Sequence, residues 1–192
     1  MKYKLLFLSL CASHFFVFSQ VKNEKEYKIN RSELPEGVET LLSPYTQDAK
    51  RIRYFLEIDG DKKSFEAKFK KGRLRYSVEF DESGSLEDVE FIIKPTDIPN
   101  DSWSNMLQYF KKSFSKFTIK KIQQQYPVKD KSPTETLADA FQNLLQPYLN
   151  YELIISAKKD RGFEQFEILF DSEGQFLEIR KSIGSKYDHV LY

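Results

Sequence analysis

The sequence predicts an α+β protein built as two diverged repeats, each with a helix packed on an antiparallel β-meander. Three observations carry that expectation. Apolar residues alternate with period two over residues 51–93 and again over 151–183. Apolar residues at helical spacing precede each of these blocks. The stretch "FDESGSLEDVE" at 80–90 also returns as "FDSEGQFLEIR" at 170–180, with Phe80 and Phe170, Asp81 and Asp171, Gly84 and Gly174, Leu86 and Phe176, and Val89 and Ile179 at matching offsets.

The first nineteen residues read as an export signal, with Lys2 and Lys4 as the basic start, an apolar run from Leu5 to Phe18, and Val17-Phe18-Ser19 at the cleavage site. That run is shorter than the roughly twenty residues a membrane span needs, and nothing later in the chain is apolar enough to span. The expected location is therefore the periplasm or outside the cell, with no membrane span. Cys11 falls inside the signal, where Leu10 occupies the position that a lipidation site reserves for a small residue. The exported chain then keeps no cysteine and depends on its core rather than on disulfides.

Removing Lys2 and Lys4 takes the formal net charge from +1 to −1. A balance so close to neutral implies neither a nucleic-acid partner nor an anionic membrane. The 17 Phe and 11 Tyr against 7 Gly and 7 Pro point to a packed aromatic core.

In the first block the inward sets are Ile52, Tyr54, Leu56 and Ile58, then Phe65, Ala67 and Phe69, then Leu74, Tyr76, Val78 and Phe80. "DGDK" at 59–62, "KKG" at 70–72 and "DESG" at 81–84 form the turns, and "EDVEFII" closes the meander. The second block supplies "YELIISAK" at 151–158, "FEQFEILF" at 163–170 and "FLEIRKSI" at 176–183. "FTIKKIQQQY" at 117–126 reads as a strand from its Thr, Ile and Tyr content, and would give the second half the strand it otherwise lacks.

Each meander follows a helix ending in a shared signature, "LLSPY" at 41–45 and "LLQPY" at 144–148. In the second copy Ser132, Pro133 and Glu135 make a capping box. Leu137, Phe141, Leu144, Leu145 and Tyr148 share a face, and Pro147 marks the stop. Trp103, Met106, Leu107, Phe110 and Phe114 predict a further amphipathic helix over 102–115, after a Pro-rich linker at 94–101. The expected organisation is a signal at 1–19, an N-terminal extension at 20–32, repeats at 33–98 and 99–185, and a tail at 186–192.

A helix leading into a meander with an "FDxxGxL" turn, in a signal-bearing chain, resembles the PepSY-like domains of secreted Bacteroidetes proteins, which are related in fold to beta-lactamase inhibitory protein. The resemblance runs through "LPEGVETLL", "RYFLEIDGDKKSFEAKFK", "YSVEFDESGSLEDVE", "FQNLLQPY" and "FEILFDSEGQFLEI". It implies helices across one face of a sheet whose other face is open to water, and a non-enzymatic binding or inhibitory role in the cell envelope.

The residues suggest no catalytic constellation and no cofactor. His14 leaves with the signal and His189 stands alone, so neither a His/Cys metal cluster nor a serine triad can be assembled in the body of the chain. The Asp-x-x-Gly turns lack the ligand spacing of a calcium loop. The acids fall on outward strand positions or in turns, where burial would not shift their pKa values.

The outward face of the first meander carries Arg51, Arg53, Ser64, Glu66, Lys68, Lys70, Arg73, Arg75, Ser77 and Glu79. Its candidate partner-binding residues are Arg51, Arg53, Phe55, Lys68, Arg73 and Arg75, with Phe55 an exposed aromatic or else covered by the segment 21–32. The partner would be an envelope or secreted protein or an anionic polymer. A solvated face with glutamates paired across strands is the plainer alternative. A periplasmic carrier of a small apolar ligand, held in an apolar cavity, is the other function the composition allows.

Overall fold

The computed structural model describes residues 21–182, apart from Asn23 and Arg161; the expected signal segment and C-terminal tail lie outside the described residues. In chain order the elements are β1 (Val21–Lys22), β2 (Glu24–Ile29), α1 (Val38–Thr46), β3 (Lys50–Asp59), β4 (Lys62–Lys71), β5 (Leu74–Asp81), β6 (Leu86–Ile92), α2 (Asn100–Ser113), β7 (Phe117–Pro127), α3 (Pro133–Phe141), β8 (Asn150–Lys159), β9 (Gly162–Asp171) and β10 (Phe176–Ser182). The alternation read from the sequence therefore falls on strands, and 117–126 is a strand.

All ten strands form one sheet in the order β1-β10-β9-β8-β7-β6-β5-β4-β3-β2. Strands β2 to β10 run antiparallel, while β1 joins β10 in parallel through Val21↔Lys181 and Lys22↔Ser182. One residue separates β1 from β2, yet β2 pairs with β3 at the far edge, from Glu24↔Asp59 to Ile29↔Tyr54. The two edges must therefore lie side by side, and the sheet curls closed. Arg180 Nη1 of β10 reaches Asp59 Oδ2 of β3 at 3.7 Å across that seam. The expected N-terminal extension is thus the strand that closes the sheet.

The three helices pack on the outside. Val38 and Leu42 of α1, Met106 and Phe110 of α2, and Leu137 and Ala140 of α3 share one buried core with Ala67, Phe69, Val78, Phe80, Leu153 and Ile168 of the sheet. Phe141 of α3 stacks on Tyr45 of α1 at 4.4 Å and on Tyr76 of β5 at 4.6 Å. Tyr109 of α2 stacks on Phe176 at 4.6 Å. Such contacts add to the burial of apolar area. The expected linker at 94–101 is a short 3-10 turn, Pro95–Asp97, running into α2. Pairing of β6 with β7, from Asp88↔Pro127 to Ile92↔Gln123, carries the sheet past it.

In chain order α1 is followed by β3 to β6, and α2 by β7, α3 and β8 to β10, with a tight turn before β6 and before β10. Asp81 Oδ1 accepts from the backbone N–H groups of Ser83 and Ser85, and Asp171 Oδ1 from those of Glu173 and Gln175. The two FDxxG stretches thus make the same Asx-type turn.

The two "LLxPY" signatures, by contrast, are not the same element. Leu41–Tyr45 lies inside α1, which contains Pro44, whereas α3 ends at Phe141 and leaves Leu144 and Leu145 exposed. Asn143 takes a left-handed φ of 52°, and Leu144 N–H bonds back to Asp139 O at 3.0 Å. This is a Schellman-type end, reached before Pro147 is encountered. The capping box at Ser132 and Glu135 is formed as expected. The helix that matches α1 in chain order is α2, and α3 is inserted between β7 and β8.

Candidate functional site

Closure changes what the second face of the sheet is. It does not open to water; it is the interior of the curl. Glu57, Glu66, Glu90, Gln123, Glu152 and Glu167 all point away from the helices and are all buried. Lys22 of β1 interacts electrostatically with Glu79 of β5 and Glu152 of β8, and its ammonium lies 2.9 Å from Glu167 Oε2 of β9. One side chain comes within electrostatic range of both walls only if they face each other. The expectation that these acids are solvated is therefore overturned: a neutral-looking chain has drawn carboxylates inside, and Lys22, Lys68 and Arg180 with them.

Three groupings divide the interior. At the first, Lys68 is ion-paired with Glu26 and Glu66 and stands 3.6 Å from Glu57. Carboxylate oxygens of Glu26, Glu57 and Glu66 lie within 4.8 Å of one another, a spacing able to hold a metal ion. The Lys68 ammonium already supplies the positive charge there. Burial, reinforced by hydrogen bonds to Glu66 and Glu24, holds the Glu57 carboxyl far above the ordinary range, so it stays protonated. For Glu66 burial also works upward, but the hydrogen bond from Glu57 and the charge of Lys68 outweigh it and hold Glu66 low.

The second grouping is Glu167 with Lys22 and Arg180. Its Oε2 accepts from Lys22 at 2.9 Å and its Oε1 from Arg180 at 2.6 Å. Burial alone would raise its pKa; the two cations bring it below the ordinary value.

Glu79, Asp88, Glu90 and Glu152 form the third, on β5, β6 and β8, flanking Gln123 and Gln125 of β7. The register sets Glu79 opposite Asp88, Glu90 opposite Gln125, and Gln123 opposite Glu152. Burial and the neighbouring negative charges push Asp88 and Glu152 up to about 7 and hold Glu79 and Glu90 well above the usual carboxylate range. A recess of about 220 Å³, lined by Gln125, Glu152, Glu167, Leu169, Glu178 and Arg180, leads toward it. Glu152 raised and Glu167 lowered resemble an acid and base pair, but both Glu167 oxygens are engaged, so no free carboxylate stands opposite Glu152.

The six candidate partner-binding residues separate. Phe55 is 9% exposed and inside, with the Lys68 ammonium 4.9 Å above its ring; it is not an exposed aromatic. Lys68 is occupied by the three glutamates. Arg51, Arg53, Arg73 and Arg75 are exposed, and with Lys50 and Lys70 they form a basic rim at one end of β3, β4 and β5. Lys50 pairs with Lys70 and Lys70 with Arg75 in register. A bulge between Lys50 and Arg53, with Arg51 at a φ of 58°, lifts Arg51 and Ile52 out of the ladder.

Sequence reasoning missed the interior. A signal for it existed: Glu57, Glu66 and Glu79 fall on one face of three adjacent strands, and like charges so placed repel on a solvated sheet. The apolar cavity a carrier would need is not among the described residues, where the core is filled by stacked rings and the recess is polar.

No family model matches the chain. Nor does any curated protein. Solved structures do. A BLIP-like protein of Bacteroides fragilis matches with a TM-score of 0.50 at 11% identity, over 80% of this chain and 90% of its own. A DUF2874 family protein of Bacteroides uniformis matches with a TM-score of 0.54 at 11% identity, over 81% and 94%. A protein of Bacteroides eggerthii assigned provisionally to the periplasm matches with a TM-score of 0.51 at 13% identity, over 77% and 88%. The fold is BLIP-like. No helix among the described residues is long and apolar enough to cross a membrane.

Proposed function

We propose that the chain is an exported, non-enzymatic binding module of inhibitory type, working in the periplasm or outside the cell, with its two halves a pair of diverged PepSY-like repeats. Its mechanism is electrostatic capture of an acidic surface on an envelope or secreted protein, or of an anionic envelope polymer, by the basic rim. The observation that carries this reading is the segregation of charge: buried carboxylates of β3 to β5 face inward while Lys50, Arg51, Arg53, Lys70, Arg73 and Arg75 stand together outside. Clustered exposed cations steer association and set partner choice. The signal-like start and the periplasmic assignment of the Bacteroides eggerthii neighbour support the location.

The test is a pull-down from native envelope extract with residues 20–192, beside the variant Arg51→Glu, Arg53→Glu, Lys70→Glu, Arg73→Glu. A partner captured at low salt, released at high salt and lost with the variant supports the rim. Equal capture by both proteins removes the rim from the mechanism, and no capture by the well-folded parent removes the binding module.

A further inference from the structure

The near-neutral total conceals a separation of charge along the strands. β3, β5, β7 and β9 start, and β4, β6 and β8 finish, at one end of the closed sheet. Helix α2 runs toward that end. At its start Ser102 Oγ donates to Ser172 O at 2.8 Å and Asn105 Nδ2 to Glu173 O at 2.9 Å, and its 14 residues span about 21 Å. Its last turn therefore brings Lys111 and Lys112 to the place where β7 begins and β8 finishes, and where Lys158 N–H donates to Lys116 O at 2.8 Å. Lys111, Lys112, Lys116, Lys120, Lys158 and Lys159 are all exposed. Among the described residues none of the six is ion-paired with a carboxylate. Asp160 sits in the turn between β8 and β9, and Glu164 of β9 is paired with Lys181 at 2.8 Å.

A second, independent observation is apolar. Phe163, the second residue of β9, is 55% exposed beside that turn, whereas Phe166 and Phe170 of the same strand are in the core. It stands opposite Lys158 in register, and the Lys116 ammonium lies 5.8 Å from its ring centre. The hairpin thus presents an aromatic ring to water with cations on either side.

We propose that this end of the molecule docks on an anionic lipid bilayer, with Phe163 entering the headgroup region and the lysines lying over the lipid phosphates. A cationic cluster and an inserted apolar side chain are the two contributions that together hold a protein reversibly at a membrane surface. Compact ammonium groups on flexible stems suit headgroups of no fixed geometry. The Arg51 to Arg75 rim stands at the same end, where β3 and β5 start and β4 finishes, while the turns at the opposite end carry the exposed acids Asp61, Glu82 and Glu173. A bilayer is flat and anionic over any breadth, so it reaches both basic clusters at once, which a compact acidic protein does not. The charge separation also orients a chain of almost no net charge, basic end toward the lipid.

The experiment is co-sedimentation of residues 20–192 with vesicles of phosphatidylcholine alone and of phosphatidylcholine mixed with phosphatidylglycerol, at low and high salt. The same assay is run on Lys112→Gln/Lys116→Gln/Lys158→Gln and on Phe163→Ala, each shown by its Tm to be folded. The parent should bind the phosphatidylglycerol vesicles alone and leave them at high salt. The triple variant should bind about 100-fold more weakly, roughly fivefold per lysine, and Phe163→Ala roughly 3–10-fold more weakly. Emission from Phe163→Trp should shift to the blue on these vesicles, while Trp103 of the parent should not respond. Absence of binding, equal binding to both kinds of vesicle, or binding undiminished in the triple variant overturns the proposal. Full binding by Phe163→Ala without a blue shift overturns the insertion of the ring. Capture of soluble polyglutamate without sedimentation on vesicles overturns the bilayer and gives this end to an acidic protein. The three lysines and Phe163 are not rim residues, so their result is separate from that of the rim variant in the pull-down.

Discussion

The carboxyl group of Glu57 hydrogen-bonds to that of Glu66 on the next strand, inside the sheet. One proton serves two acids, and it stays with Glu57, because Glu66 is held ionised by that hydrogen bond together with Lys68. The interior is therefore partly protonated at neutral pH, and above the ordinary carboxylate range stability must fall as pH rises.

Asp88 and Glu152, at about 7, keep protons in the folded chain that the unfolded chain has already released. The stability they contribute is full below the ordinary carboxylate pKa and is lost as pH rises toward 7. Glu66 and Glu167, held low, contribute above the ordinary value and lose that contribution as pH falls below it. Maximal stability should lie near pH 5. Urea unfolding should give roughly 2–4 kcal/mol less at pH 7.5 than at pH 5. Equal stability at the two pH values would contradict the protonated interior.

Lys68→Met should destabilise the fold by about 1–3 kcal/mol. Removing one partner from a buried ion pair costs more than that, but the Lys68 side chain is 40% exposed, and solvent reaches the charge it leaves behind. Adding Glu66→Gln should restore part of the loss, and strictly additive effects in chemical unfolding would show that the two residues are not coupled.

Glycine-to-alanine substitutions should rank by backbone contact. A Cβ on Gly174, at a φ of 77°, would stand 2.2 Å from Ser102 O in the first turns of α2; one on Gly84 would stand 2.9 Å from Glu36 O; one on Gly60 would meet nothing within 4 Å. Gly60→Ala should cost about 1 kcal/mol, from left-handed strain alone. Gly84→Ala should cost more, and Gly174→Ala most, above about 3 kcal/mol. Any other order in Tm measurements refutes the contact of turn and helix.

Phe141→Ala removes the ring that joins α1, α3 and β5, and should cost about 2–4 kcal/mol. Phe141→Leu should recover part of the loss. Because Tyr45 stacks on the same ring, amide exchange should quicken in α1 as well as in α3; protection unchanged in α1 would mean that the helix is held independently.

Strand content was legible because period-two alternation is a local signal, and Ser132, Pro133 and Glu135 announced the start of α3 unaided. The end of α3 was not, because Asn143 in place of Gly can stop a helix, and the apolar spacing of Leu144 and Tyr148 continued past it. The buried face escaped for a different reason. Alternation separates the faces of a sheet without telling which is enclosed, and enclosure here depends on pairing between segments at opposite ends of the described chain. Arg51, Arg53, Arg73 and Arg75 stayed outside, whereas Phe55 and Lys68 were drawn in by that long-range event.

The segment 21–29 occupies both borders of the sheet, and Val21 meets Lys181, 160 positions further on. During synthesis or export, the strand that emerges among the first must wait for one of the last before the ring can shut. Until then two long ladders of unpaired N–H and C=O groups stand open, each a template for another chain. Once shut, the edge of β3 is paired from Tyr54 to Asp59 and that of β10 at Lys181 and Ser182. A single detachment of 21–29 would expose both together, and the same segment from a neighbouring molecule fits the vacated place, so exchange of this strand between copies is the association to which the architecture is most susceptible.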